Sequence, residues 1–122
     1  MNAYCVIGDT EKDARDFLNY YVMEKGDWEA VSNITQSLGM NNRLMAPEKL
    51  NAFKFHFIAG WGGYPLVGTA RQIAEELAKL SRVGFDGTLL NWPRYEEGLG
   101  RFVSEVLPLT VQMGLRHEGL AR

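Results

Sequence analysis

The chain has 122 residues, 46% of them hydrophobic, with 13 lysines and arginines against 15 aspartates and glutamates. This is enough apolar material for one cored domain over residues 1–122, too little length for two, and too apolar for a disordered chain. The net charge of -2 is interspersed, with no basic stripe for nucleic acid and no polybasic run for an anionic membrane.

Ala3–Ile7 (AYCVI) is a short apolar run ending at Gly8-Asp9-Thr10, which predicts a buried strand. Thr10 is placed to cap a helix whose apolar face is Ala14, Phe17, Leu18, Tyr21 and Val22, with Gly26 as its stop. Asp27 caps a second helix with Trp28, Val31, Ile34 and Leu38 on one face, closed by Gly39. Pro47 suits the first position of a third helix. Phe53, Phe55 and Phe57 alternate with polar residues like a strand, but Pro47 and the run EKLNAFK favour helix.

The stretch GWGGYPLVGT from Gly60 to Thr69 follows. Its four glycines ask for special backbone angles or a close approach. Within it Tyr64–Val67 predicts a strand, and Thr69 with Gln72 forms a capping box. Ile73, Leu77 and Leu80 line the next helix, which Gly84 ends. Phe85–Trp92 predicts the third strand and Pro93 stops it. Tyr95, Leu99, Phe102, Val103 and Val106 line a final helix that Pro108 breaks or kinks, and the tail beyond Gly114 is expected to be loose. Strands alternating with helices predict an α/β fold with a parallel sheet.

The glycine stretch fits neither nucleotide motif. A dinucleotide fingerprint places its glycines after a strand, whereas most of these precede one. A P-loop requires lysine where Thr69 stands. Gly68-Thr69 reads either as a plain N-cap or as a phosphate seat at a helix start. Asn91-Trp92 ends the third strand, where parallel α/β folds face their ligands, and reads as a pocket lining or as a lid on the core. Asp9, at another strand end, reads as a helix start or a site residue. Glu96-Glu97 suit the positive end of the last helix. His56 and His117 lack neighbours at metal-ligand spacing, so no metal is expected. Cys5, in an apolar strand, is not expected to be a nucleophile, and no catalytic set is assigned. A single cysteine and the lack of a basic-then-apolar leader point to the cytoplasm. Asn33-Ile34-Thr35 matches a glycosylation sequon and is read as chance, within a helix.

Tyr64–Leu109 resembles the carboxyl-terminal end of the bacterial luciferase-like flavin-dependent monooxygenases. Gly68-Thr69, Gly84-Phe85-Asp86-Gly87 and Val106-Leu107-Pro108-Leu109 carry the likeness, and VIGDTEKDARDFLNYYVMEKGDWEAV extends it upstream. The resemblance implies about the last three strands of an eight-stranded βα barrel, with a helical insertion, from an enzyme that uses reduced FMN and dioxygen on a small organic substrate. A deazaflavin F420 oxidoreductase is the runner-up. The family's earlier strands, with most flavin contacts, have no counterpart here, since a full barrel takes roughly 250 residues. The resemblance therefore implies a chain inactive alone, binding flavin weakly or not at all. The competing expectation is a non-catalytic fragment or assembly module. In the resembled fold Gly60–Gly63 returns the insertion to the barrel mouth, and Trp61, Asn91 and Trp92 gather at the pocket beside Gly68 and Thr69. Three such strands would leave an inner face wet around Val6, Leu66 and Leu89, so a homo-oligomer, most simply a dimer, is expected.

Overall fold

The structure, a computed structural model, describes residues 1–41 and 43–118. The last four positions of the tail lie outside the described residues. Strand β1 (Asn2–Ile7) has Ala3, Tyr4, Cys5 and Val6 buried in succession. Continuous rather than alternating burial marks a strand covered on both faces. It pairs in parallel with β2 (Tyr64–Gly68), Ala3 opposite Tyr64 and Ile7 opposite Gly68. On its other side it pairs in parallel with β3 (Leu89–Asn91), Asn2 opposite Leu89 and Tyr4 opposite Asn91. The strand order is β2-β1-β3.

Three helices join β1 to β2. Helix α1 (Glu11–Asn19) starts where the Asp13 N–H donates to the Thr10 hydroxyl at 3.0 Å, and it widens into a π-helical turn at Tyr20–Glu24. Helix α2 (Trp28–Ser37) is capped by Asp27, which accepts from the Ala30 N–H at 2.9 Å. Helix α3 (Pro47–Gly60) confirms the helical reading of the phenylalanine run. Helix α4 (Ala70–Val83) connects β2 to β3 and ends at Gly84 with φ of 115°. After β3 come α5 (Tyr95–Arg101), a π-helical turn (Phe102–Val106) and α6 (Leu107–Gln112). Pro108 has no N–H to bond back along the helix, and the helix passes it by widening beforehand rather than by stopping.

Two cores result, one on each side of the sheet. Ala3, Cys5 and Leu66 pack with Ile73, Ala74 and Leu80 of α4 and with Phe102 and Val106. Tyr4 and Val6 pack with Ala14, Leu18, Val22 and Ala59. The α/β class and the three parallel strands are as expected. The order differs from that of three consecutive barrel strands, in which the second would lie in the middle and all helices on one side. Here β1 is central and α4 crosses back over the face opposite α1, so the sheet is open and doubly wound.

This covering alters the expectation of a wet inner face. Val6 and Leu66 are buried within the chain, on opposite faces, and of the three residues named only Leu89 is exposed. The third strand is also shorter than the predicted Phe85–Trp92. Two helical faces are shifted from the expectation: α2 buries Val31 and Thr35 while Ile34 and Leu38 are exposed, and the final helix buries Phe102 and Val106 while Tyr95, Leu99 and Val103 are exposed. In the latter, the π-helical turn changes the angular register along the helix.

Candidate functional site

In a doubly wound sheet the chain leaves two neighbouring strands toward opposite faces, and a crevice opens at their carboxyl ends. That reversal falls between β1 and β3, because α1 packs on one face and the segment after β3 on the other. A crevice of about 290 Å³ lies there. Its floor is the end of β1 from Cys5 to Asp9. One wall is Asp13 and Phe17 of α1, and the other is Trp92, Pro93, Arg94, Glu97, Gly98 and Arg101.

Trp92 packs edge-on against Phe102 and Tyr95, with ring centres 5.6 and 5.7 Å apart. Gly98 is required beside it, since a Cβ there would stand 2.7 Å from the indole. The indole N–H is buried without a hydrogen-bond acceptor among the described residues. It stands near the Cys5 thiol, which burial pushes up to about 12 while the indole pulls it the other way. A thiol held protonated is no nucleophile, in keeping with the sequence reading of Cys5.

Arg101 ties the crevice together. Its Nη1 donates to the Ile7 carbonyl at 3.2 Å, its Nη2 to Asp9 Oδ1 at 2.9 Å, and its Nε and Nη2 to Glu105 at 2.6 and 3.1 Å. The hydrogen bonds to Glu105 raise the Arg101 pKa first, and those from Arg101 hold Glu105 below the usual carboxylate range. Arg94 reaches across the mouth. Its guanidinium lies 5.0 Å from the centre of the Phe17 ring and 3.6 Å from Glu97, a cation–π contact that joins the β3 exit to α1. The crevice can therefore hold a small apolar or aromatic group within a polar rim. Neither a nucleophile–base pair nor an acid–base pair at reacting distance is present among its lining residues. Among the described residues no cluster of three metal-ligating side chains occurs.

The predicted site residues are not gathered as expected. Trp92 is in the crevice. Asn91 points to the opposite face, where its Nδ2 donates to Asn2 Oδ1 and the Ala3 carbonyl, both at 3.2 Å. Trp61 is 70% exposed and precedes β2, at the amino ends of the strands, with its ring edge-on to Phe57. A cluster of Trp61, Asn91 and Trp92 is thus not formed, because successive strand residues alternate faces and the glycine segment enters at the other end of the sheet.

Gly68 and Thr69 stand at the carboxyl end of β2, and their geometry is that of a cap. The Gln72 N–H donates to Thr69 Oγ1 at 3.2 Å and the Thr69 N–H to Gln72 Oε1 at 2.9 Å. Gln72 Nε2 in turn donates to Glu11 Oε2 at 3.0 Å, which brings a carboxylate beside the helix start. The glycine stretch is likewise accounted for by packing. A Cβ on Gly60 would press into Tyr4 and Asn91, one on Gly63 would lie 3.2 Å from the Ala3 Cα, and Trp61 and Gly62 adopt positive φ of 55° and 70°. It is a tight passage from α3 to β2 against the amino end of β1. Sequence reasoning missed Arg101, Arg94 and Phe17 as crevice residues. The i,i+4 spacing of Arg101 and Glu105 was the available signal.

The fold thus defines an open α/β domain with a cleft at the carboxyl ends of its strands. No protein-family model matches the chain. It is similar to an FMNH(2)-dependent dimethylsulfone monooxygenase of Pseudomonas fluorescens (strain Pf0-1), with 29% identity over 118 residues. It is also similar to one of Pseudomonas putida, with 32% identity over 119 residues. Each alignment takes in 93% of this chain and 32% of the relative, so the chain spans about a third of the length of the curated relatives it matches.

Proposed function

We propose that the chain forms the carboxyl-terminal part of a luciferase-like flavin-dependent monooxygenase acting on a small organic substrate. The observation that carries this reading is the likeness to two FMNH(2)-dependent monooxygenases along 93% of the chain. Both relatives are named for reduced FMN, which favours FMN over F420. Bound reduced FMN would supply electrons to dioxygen. In a chain of the relatives' length, β1, β2 and β3 would enter a barrel as its last strands, and that requires β3 to exchange β1 for β2 as its neighbour.

The residues present do not fit FMN on their own. The crevice, at about 290 Å³, is at the small end of ligand pockets, which run to roughly 300–1,000 Å³. Its rim sets Asp9, Asp13 and Glu97 against Arg94 and Arg101, and Arg101 is already engaged by two carboxylates. That rim is a poor seat for a phosphate. The start of α4 has two of its N–H donors taken by its own cap, with Glu11 alongside. This chain's part is then to provide pocket wall: Trp92 and Phe17 as apolar surface, and Arg101 as the strut that holds the end of β1 against the last helix.

It follows that the chain alone takes FMN weakly and does not turn over. A second reading, a non-catalytic unit, is favoured by one observation: the chain covers both faces of its own sheet. Self-association, if it occurs, is proposed to run through the two strand edges. Titration of FMN followed by fluorescence quenching tests the reading. Weak, non-stoichiometric quenching that becomes tight when the missing two-thirds of a relative is supplied as a separate polypeptide supports it. A micromolar one-to-one complex of the chain alone, with turnover, overturns the wall assignment. No rescue by the added polypeptide favours the non-catalytic unit.

A further inference from the structure

A second hollow lies on the sheet face covered by α1 and α3, away from the crevice. These helices part over β2 and leave about 260 Å³. Pro65 and Val67 contribute to its floor, Leu18 and Phe55 to its apolar sides, and Arg15, Asn19, Tyr4 and His56 its polar groups. No acidic side chain lines it.

The proton positions follow from burial. Tyr4 is 0% exposed, and the partner of its hydroxyl among the described residues is His56 Nδ1, at 2.8 Å. Were the imidazole to donate, the hydroxyl hydrogen would be buried without an acceptor, which is costly. The hydroxyl therefore donates, Nδ1 accepts, and the ring hydrogen sits on Nε2. That second N–H has no partner among the described residues. Arg15 uses Nε to reach Glu11 at 3.1 Å, which leaves both its terminal amino groups without a partner among the described residues. The guanidinium acts on the Tyr4 hydroxyl: burial raises that pKa to about 12 and Arg15 opposes the rise. Arg15, Tyr4 and His56 thus share one donor-rich, apolar-walled space, whose guanidinium is paired through Nε with Glu11 outside the lining.

We propose that this hollow binds a small carboxylate with an apolar body. The carboxylate takes the free amino groups of Arg15 and the Nε2–H of His56, and the body lies against Leu18, Phe55 and Val67. A guanidinium fork suits a carboxylate in geometry as well as charge. The site is independent of the flavin reading, since it lies on another face and involves none of the crevice residues.

Benzoate is the probe, and the readout is NMR of the Arg15 and His56 side-chain nitrogens. Saturable shifts at both residues are expected, with a Kd of roughly 1 mM for so small a ligand. Benzamide, of the same shape without the charge, is expected not to saturate. Arg15→Gln removes the fork from a mostly exposed residue, so the fold should persist, as an unchanged melting temperature would show. Its benzoate affinity should drop by about tenfold or more. If Arg15→Gln lowers the melting temperature, the comparison of benzoate with benzamide on the unaltered chain decides. Shifts that rise without saturating, equal saturation by benzamide, or unchanged affinity in a folded Arg15→Gln would overturn the proposal.

Discussion

Gly60→Ala tests how closely α3 is fitted to the central strand. Gly60 is buried at the end of α3. A Cβ there would lie 2.7 Å from Tyr4 Cγ and 2.8 Å from Asn91 Oδ1, and closer still to Tyr4 Cβ. Tyr4 is wholly buried on a strand paired on both sides, so it cannot retreat. The helix would have to lift and take Ala59 with it, away from the core it joins. Alanine gains about 1 kcal/mol of helix propensity over glycine, and overpacking a rigid site costs about 1–3 kcal/mol or more. The contact is with Cβ and ring-root atoms rather than the end of a flexible chain, so the cost lies at the upper end and the net is a loss of about 1–2 kcal/mol. Gly100→Ala is the control: it sits in α5, and a Cβ there meets nothing within 4 Å. It should stabilise by about 0.5–1 kcal/mol. Urea unfolding followed by circular dichroism measures both. A neutral or stabilising Gly60→Ala would refute the packing of α3 on β1.

Cys5 should resist a disulfide reagent at pH 8 while the chain is folded, because burial holds its thiol protonated, and should react promptly in denaturant. Fast native-state reaction would contradict its place in the core. Glu105, held low by Arg101, contributes stability above the ordinary carboxylate pKa, and that contribution is lost as pH falls through the depressed folded value. The urea midpoint should therefore be level from neutrality to about pH 5 and decline below about pH 4.5. Arg101→Gln should shrink that decline, by no more than about 1 kcal/mol because the pair is half-exposed and screened by solvent; an unchanged acid limb would refute the strut. Any dimer should dissociate on dilution in light scattering, since β3 has three residues and β2 carries Pro65 on its ladder. A dimer that survives dilution would require a larger surface than the strand edges supply.

Much of the local structure was legible because it rests on short-range chemistry. Thr10, Asp27 and Thr69 cap where their hydroxyl or carboxylate and spacing predict. Pro47 opens α3, and Gly84 closes α4 in the left-handed conformation. Trp92 at the end of a strand both lines a crevice and packs on the core, the two readings that its position left open. The strand order was not legible. A continuous apolar run such as Ala3–Val6 states that both faces are covered but not which strand lies on which side. Asn91 and Trp92 were read as a pair because they adjoin, yet the pleat sends them to opposite faces. Trp61 stands among glycines that serve backbone passage, so its aromatic character carried no information about a pocket. The Tyr4–His56 bond spans 52 positions and leaves no local pattern.

The central position of β1, which sets the crevice between β1 and β3, is tested most directly by interstrand nuclear Overhauser effects in isotopically labelled chain. The account predicts backbone contacts between Ala3 and Leu90 and between Tyr4 and Asn91, alongside those between Cys5 and Leu66. Contacts joining Leu89–Asn91 to Tyr64–Gly68, with none to β1, would put β2 in the middle and remove the crevice on which the site rests.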